Sequence, residues 1–226
     1  MINLTVYTSL IISLIIQVTS GIIELFALFI KVPANVSFLK QIMMLEVFVQ
    51  FIEGLFYVYW LYNFNKILNI TPKRYLDWVI TTPTMLINLI FYLIYLHSKE
   101  NNTSDKLNFF ELFGKEIYTI IPVLLLNWVM LLFGYLGEVS LLPISVGVLS
   151  GFIPFIIYYY IIYKKYAVLT DDGLNLFLYF FIVWGLYGIV AFLPYKIKNM
   201  CYNILDLFSK NFFGLFLSYL IINNKI

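Results

Sequence analysis

The stretch from Cys201 to Ile222 reads CYNILDLFSKNFFGLFLSYLII and holds Asp206 and Lys210 in a run otherwise fit only for lipid or protein interior. An ionisable side chain at the centre of a bilayer costs roughly 2.5–3.5 kcal/mol on insertion scales, so its presence asks for a function. At i and i+4 the two residues share one helical face, about 6 Å apart along the axis. An ion pair between neighbouring turns is the plainest account, but apolar residues would replace such a pair at little cost. A lysine kept out of water gives up its proton readily and condenses with aldehydes. The pattern predicts that Lys210 carries a covalent aldehyde cofactor, with Asp206 in its counterion.

Two further sets of polar residues lie in apolar surroundings. Glu46, Gln50 and Glu53 stand at i, i+4 and i+7, on one helical face, with the carboxylates about 10.5 Å apart. A seam bonded to a neighbouring helix is the structural alternative. Two acids and an amide in one stripe exceed what docking requires and predict a water-filled or cation-conducting seam. The segment RYLDWVITTPTMLIN, 74–88, is the most specific. Arg74 and Asp77 are spaced to pair, and Thr81 stands one turn beyond Asp77, where its hydroxyl can bond the carboxylate and pass a proton. Thr82 and Pro83 interrupt the helical ladder, which is tolerated where other groups satisfy the freed carbonyl. Asn88, three turns past Asp77 on the same face, can hydrogen-bond but cannot titrate. Nearer the N-terminus, Ser13 and Gln17 share a face, and Glu24 is read as reaching water near the end of its span.

These residues need helices to position them. The chain has 226 residues, 62% hydrophobic and 12% charged, where soluble domains carry about 25% charged residues. It reads as an integral membrane protein of one all-α domain. Seven apolar windows are long enough to span: roughly 4–30, 36–62, 73–96, 116–136, 140–163, 173–194 and 198–222. Only Gly137 and Glu138 separate the fourth from the fifth. Short connections predict antiparallel neighbours. The start, MINLTVYTSL, has no basic flank and reads as a retained span. The single cysteine, Cys201, allows no internal disulfide. A net charge of +2 is too small to suggest nucleic acid. Lys31, Lys40, Lys99, Lys106, Lys115, Lys164, Lys165 and Lys225 fall on one side. Lys66, Lys73, Arg74, Lys196 and Lys198 fall on the other, which favours an outer N-terminus and a cytoplasmic C-terminus.

RYLDWVITTP in the third of seven spans and DLFSK in the seventh resemble the microbial (type 1) rhodopsins, over essentially the whole chain. The resemblance implies a light-responsive protein, not an enzyme, with all-trans retinal bound to Lys210 as a protonated Schiff base. Asp77 then matches the primary counterion and proton acceptor, and Asp206 the second counterion. Arg74 matches the arginine closing the extracellular side, and Tyr57 the tyrosine bonded to the second counterion. Trp78 and Thr82, Met130 and Gly134 from NWVMLLFG, and Trp184 and Tyr187 from WGLYG match the residues lining the polyene. Asn127 stands where an acid is common. Gly188 and Ala191 depart from the usual Pro and bulky aromatic, which leaves the ring end of the pocket open.

The same resemblance bears on ion transport. Family pumps carry a proton-donating acid where this chain has Asn88, and often glutamates where it has PYKIKN. FIEGLFY, 51–57, is similar to the glutamate gate of channel-type members, with Glu53 at the gate. Ser13, Glu46, Asn203 and Asn211 look like the polar set of the viral channel-type rhodopsins. The expected function is a light-gated cation channel, closed at its centre by Ser13, Glu53 and Asn203. Glu46 would line the inner path, and Arg74, Asp77 and Asp206 the outer one. A light-driven outward proton pump, with Glu46 as substitute donor, and a light sensor are the alternatives. The implied partners are the lipid bilayer and monovalent cations or protons, and a homo-oligomer is compatible with the sequence.

Overall fold

The computed structural model describes residues 2–224, with side chains from Thr5 onward, so Lys225 of the charge tally lies outside it. Seven helices cross the molecule: α1 (Ile2–Phe29), α2 (Ala34–Tyr62), α3 (Thr71–Glu100), α4 (Phe109–Glu138), α5 (Ile144–Lys165), α6 (Asp171–Val190) and α7 (Tyr195–Asn223). All seven are long and apolar enough to span a bilayer, and no strand occurs among the described residues. The protein is an integral, multi-pass membrane protein. Successive helices pack side by side, and α7 returns to α1, so the bundle closes into a ring. Odd-numbered helices run from the face holding the N-terminus to the face holding the C-terminus, and even-numbered helices run back.

Local chemistry sets the helix ends. Pro72 occupies the first turn of α3, where a missing N–H costs nothing. Asn108 accepts from the backbone N–H of Phe110 and Glu111, which starts α4 well before the expected residue 116. Gly137 and Glu138 are not a break; they form the last turn of α4. The chain turns at Ser140, in the left-handed region at φ 62°, and α5 starts after Pro143. Thr170 caps α6 through the Gly173 N–H at 3.0 Å. That helix ends at Val190, short of the expected 194, because Pro194 opens the next helix.

α3 is the central post: 61% of its apolar window is buried, against 17% for α4. Pro83 has no N–H to give the Val79 carbonyl one turn back. The Trp128 indole of α4 donates to that carbonyl at 2.9 Å. Thr82 and Thr84 bond the carbonyls of Trp78 and Ile80 instead, so the ladder is repaired by a neighbouring helix and not by the adjacent threonines.

Candidate functional site

α7 is α-helical over Tyr195–Asp206, widens into a π turn over Leu207–Asn211, and resumes as α-helix over Phe212–Asn223. Such turns are frequent at functional sites because they re-aim side chains inside an otherwise continuous helix. Lys210 lies in the π turn and is 1% exposed. Its Nζ is 2.6 Å from Asp77 Oδ2, 3.6 Å from Glu53 Oε1 and 3.7 Å from Asp206 Oδ1. Here the unmodified amine stands where the nitrogen of a covalent aldehyde adduct would be.

The two aspartates are held differently. Asp206 accepts from Tyr57 and Tyr187, each at 2.8 Å, and from Arg74 Nη1 at 3.1 Å. Both of its oxygens are engaged. Asp77 Oδ2 receives only Lys210, and its Oδ1 has no partner. Asp77 can therefore take a proton without displacing another donor. The expected Arg74–Asp77 pair does not form. Lys210 takes Asp77, and Arg74 reaches across to α7, where Asn199 accepts from Nε at 3.0 Å and Asn203 Oδ1 accepts from Nη2. The guanidinium also lies over Trp60, 4.9 Å from the ring centre. The Thr81 hydroxyl does not bond the Asp77 carboxylate. It bonds that residue's backbone carbonyl at 3.0 Å, the usual choice of a helical threonine.

Glu53 changes the charge balance. With Asp77, Asp206, Arg74 and Lys210 alone the cluster is neutral. Glu53, fully buried, adds a third carboxylate within 4 Å of Lys210. An uncompensated charge in low dielectric costs several kcal/mol, so the site is complete only with one more positive charge, a proton or a cation.

The expected central triad of Ser13, Glu53 and Asn203 is only partly assembled. Ser13 donates to the Asn203 backbone carbonyl at 3.2 Å. Asn203 gives its amide to Ser9 and accepts from Arg74 and Tyr57. Glu53 binds Gln17 at 3.2 Å and neither of the other two. Toward the C-terminal face, Glu46 accepts from Asn88 at 2.9 Å, and Asn211 donates to Ser20 and Gln50, both at 2.8 Å. Glu24 does not reach water: it is fully buried and accepts from Gln50 at 3.0 Å.

Beside Lys210 opens a cavity with about 770 Å³ of empty space, its open mouth included. Trp78, Thr82, Met130, Gly134, Trp184 and Tyr187 all line it. Asn127 braces the wall by donating to Thr82 at 2.8 Å. Gly134 leaves room for the Tyr75 hydroxyl, which a Cβ there would meet at 2.6 Å. The Phe152 ring occupies the space over Gly188, and both residues line the cavity with Ala191.

Several of these residues were not singled out in the sequence. Tyr75, Met85, Phe152, Phe155, Tyr202 and Ser209 line the cavity but are isolated residues of types that recur along the chain. Asn199 had a signal: with Asn203 and Asp206 it makes a polar stripe at i, i+4 and i+7 on α7.

A sequence profile described as bacteriorhodopsin-like protein matches residues 6–224. No curated protein matches the chain significantly. Among solved structures the chain is similar to viral rhodopsin OLPVRII, at 26% identity and a TM-score of 0.81, over 96% of this chain and 98% of that one. Blue light-absorbing proteorhodopsin from Med12 matches at 20% identity and 0.73, over 96% of both chains. Xanthorhodopsin, described as a light-driven ion pump with dual chromophore, matches at 17% and 0.75, over 99% and 95%. The last two likenesses show the fold alone.

Proposed function

The chain belongs to the bacteriorhodopsin-like family, and on that footing we propose that it is a light-gated channel for monovalent cations, with all-trans retinal on Lys210. The family binds retinal. The residues present fit it: one buried amine faces an apolar cavity lined by Trp78, Met130, Phe152, Trp184 and Tyr187, with Gly134 and Gly188 letting Tyr75 and Phe152 seat against its wall. Trp78, Thr82, Met130, Gly134, Trp184 and Tyr187 would hold the polyene. Retinal bound there supplies light absorption and a change of shape.

The protein supplies the rest. Asp77 holds the positive charge on Lys210 Nζ and can take its proton at Oδ2, along the 2.6 Å hydrogen bond. Asp206, fixed by two tyrosines and Arg74, stays an anion and keeps the field directed. Arg74 with Asn199 and Asn203 closes the path toward the N-terminal face.

The observation that carries the channel reading is Glu53 at 3.6 Å from Lys210 Nζ. This glutamate links the lysine to a buried row of polar residues, Gln17, Glu46, Asn88 and Asn211, that runs toward the C-terminal face. Rows of carboxylates select cations, and a row touching Lys210 opens or closes with it. Asp77 at 2.6 Å is the specific feature favouring the alternative, an outward proton pump. Voltage-clamped cells expressing the protein are expected to give photocurrents that reverse sign with voltage and shift with the Na+ gradient. Currents of one sign at every voltage would instead establish the pump, and a pigment with no current the sensor.

The counterion assignment has its own test. Asp77→Asn is expected to red-shift the absorption maximum, because less negative charge stays beside the nitrogen, and to slow proton transfer. An unchanged spectrum would show that another carboxylate is the principal anion.

A further inference from the structure

Glu24 has no part in the function described so far, yet its placement is costly. It is fully buried, one oxygen is bonded to Gln50, the other has no partner, and no cation of the described residues lies within ion-pair distance. Its carboxylate lies directly over the α7 backbone at Gly214, in space that any Cβ there would occupy. Gly214 follows Lys210 by one turn. The group that holds Glu24 is also tied to α7, since the Gln50 amide oxygen accepts from Asn211 at 2.8 Å. Asn211 is the residue after Lys210. Both contacts that fix Glu24 therefore depend on the few residues of α7 that must move if Lys210 moves.

We propose that Glu24 is a second, cation-selecting gate near the C-terminal face, latched shut by Gln50 and Asn211 and released when α7 shifts at Lys210. This deepens the channel reading and rests on it for the role in conduction. In the dark the carboxylate plugs the notch at Gly214. A shift of α7 loosens the Asn211–Gln50–Glu24 chain and frees the carboxylate to face the path beyond Glu46. The orientation of both amides is fixed by the chain itself: the Gln50 nitrogen must face Glu24 and its oxygen must face Asn211. A merely structural Glu24 would need neither the glycine notch nor a bond relayed from the residue beside Lys210.

Three variants read this out. Glu24→Gln keeps the shape and removes the charge. In retinal-loaded purified protein it is expected to remove one carboxyl band from the light-minus-dark infrared difference spectrum. In clamped cells it is expected to move the reversal potential toward that for protons, as Na+ loses its site. Gly214→Ala expels the carboxylate from its notch without removing its charge, so it should leave the reversal potential at the wild-type value and slow channel closing while the pigment still forms. Gln50→Leu breaks the latch and is expected to slow channel closing about tenfold, the size of one lost hydrogen bond to a charged group. An unchanged infrared spectrum in Glu24→Gln overturns the proposal, as does a reversal potential that Glu24→Gln does not move or a closing rate that neither Gly214→Ala nor Gln50→Leu slows. If wild-type currents never reverse, the channel reading is lost, and the infrared measurement alone still decides whether light reaches Glu24.

Discussion

Lys210→Ala is expected to abolish the visible absorption band when retinal is added to the protein. Only an amine can make the covalent bond, and Lys210 is the one lysine lining the cavity among the described residues. The alanine variant also strips the cation from Asp77 and Glu53, so loss of colour could follow from loss of fold. Lys210→Arg separates the two. It keeps the positive charge beside the three acids but offers no nucleophilic amine. A folded arginine variant, judged by far-UV circular dichroism and a monodisperse elution profile, is expected to be equally colourless. Borohydride reduction of the illuminated wild type and peptide mapping should place the retinyl mass on the peptide containing Lys210. A visible band in either variant, or a tag on another peptide, removes the attachment site and every role assigned around it.

The number and type of helices were legible because lipid imposes one rule: an apolar run of sufficient length, closed on its own hydrogen bonds. Ends were less legible because they depend on single caps. Asn108 extends α4 by two turns, and Ser140 in the left-handed region makes a turn where glycine was the expected signal. Within the site, residue types and spacing along one helix read well: Glu46, Gln50 and Glu53 are all buried on one side of α2. Pairing across helices did not, since spacing within one helix cannot say which neighbour faces it. Arg74 and Asp77 are well spaced to pair, but Lys210 from α7 reaches Asp77 first, and Arg74 turns to Asp206. The π turn adds a second reason. It shifts everything after Asp206 off the α-helical register on which the one-face argument for Asp206 and Lys210 was built. Glu24 was misread for the opposite cause. Its nearness to a helix end is legible, whereas the notch that buries it comes from Gly214 on α7, adjacent in the bundle but far along the chain.

Arg74→Ala is expected to destabilise the protein more than any change to an exposed ion pair. Arg74 is fully buried and donates to Asp206, Asn199 and Asn203 while three aromatic residues besides Tyr57 lie around its plane. Removing one partner of a buried pair typically costs about 3–5 kcal/mol, because the other charge stays behind in low dielectric. Against a total stability of about 5–15 kcal/mol that is a large fraction. Lys165→Met supplies the contrast. Lys165 pairs with Glu116 at 2.7 Å, shorter than the Arg74–Asp206 contact, but its side chain is 47% exposed. Exposed pairs contribute about 1 kcal/mol or less, since water and salt replace them. The midpoint temperature for thermal loss of the folded state in detergent should therefore fall far more for Arg74→Ala than for Lys165→Met. Arg74→Lys should fall between the two, because its ammonium keeps a positive charge near Asp206 but cannot reach Asp206 and Asn199 together as the guanidinium's fork does. Raising the salt concentration should weaken the Lys165 pair and leave the ranking unchanged, since screening acts on the exposed pair and hardly on the buried one. Equal losses for Arg74→Ala and Lys165→Met would mean that Asp206 finds another donor when the arginine is gone. The fixed second anion, and with it the directed field on Lys210, would then have to come from Tyr57 and Tyr187 alone.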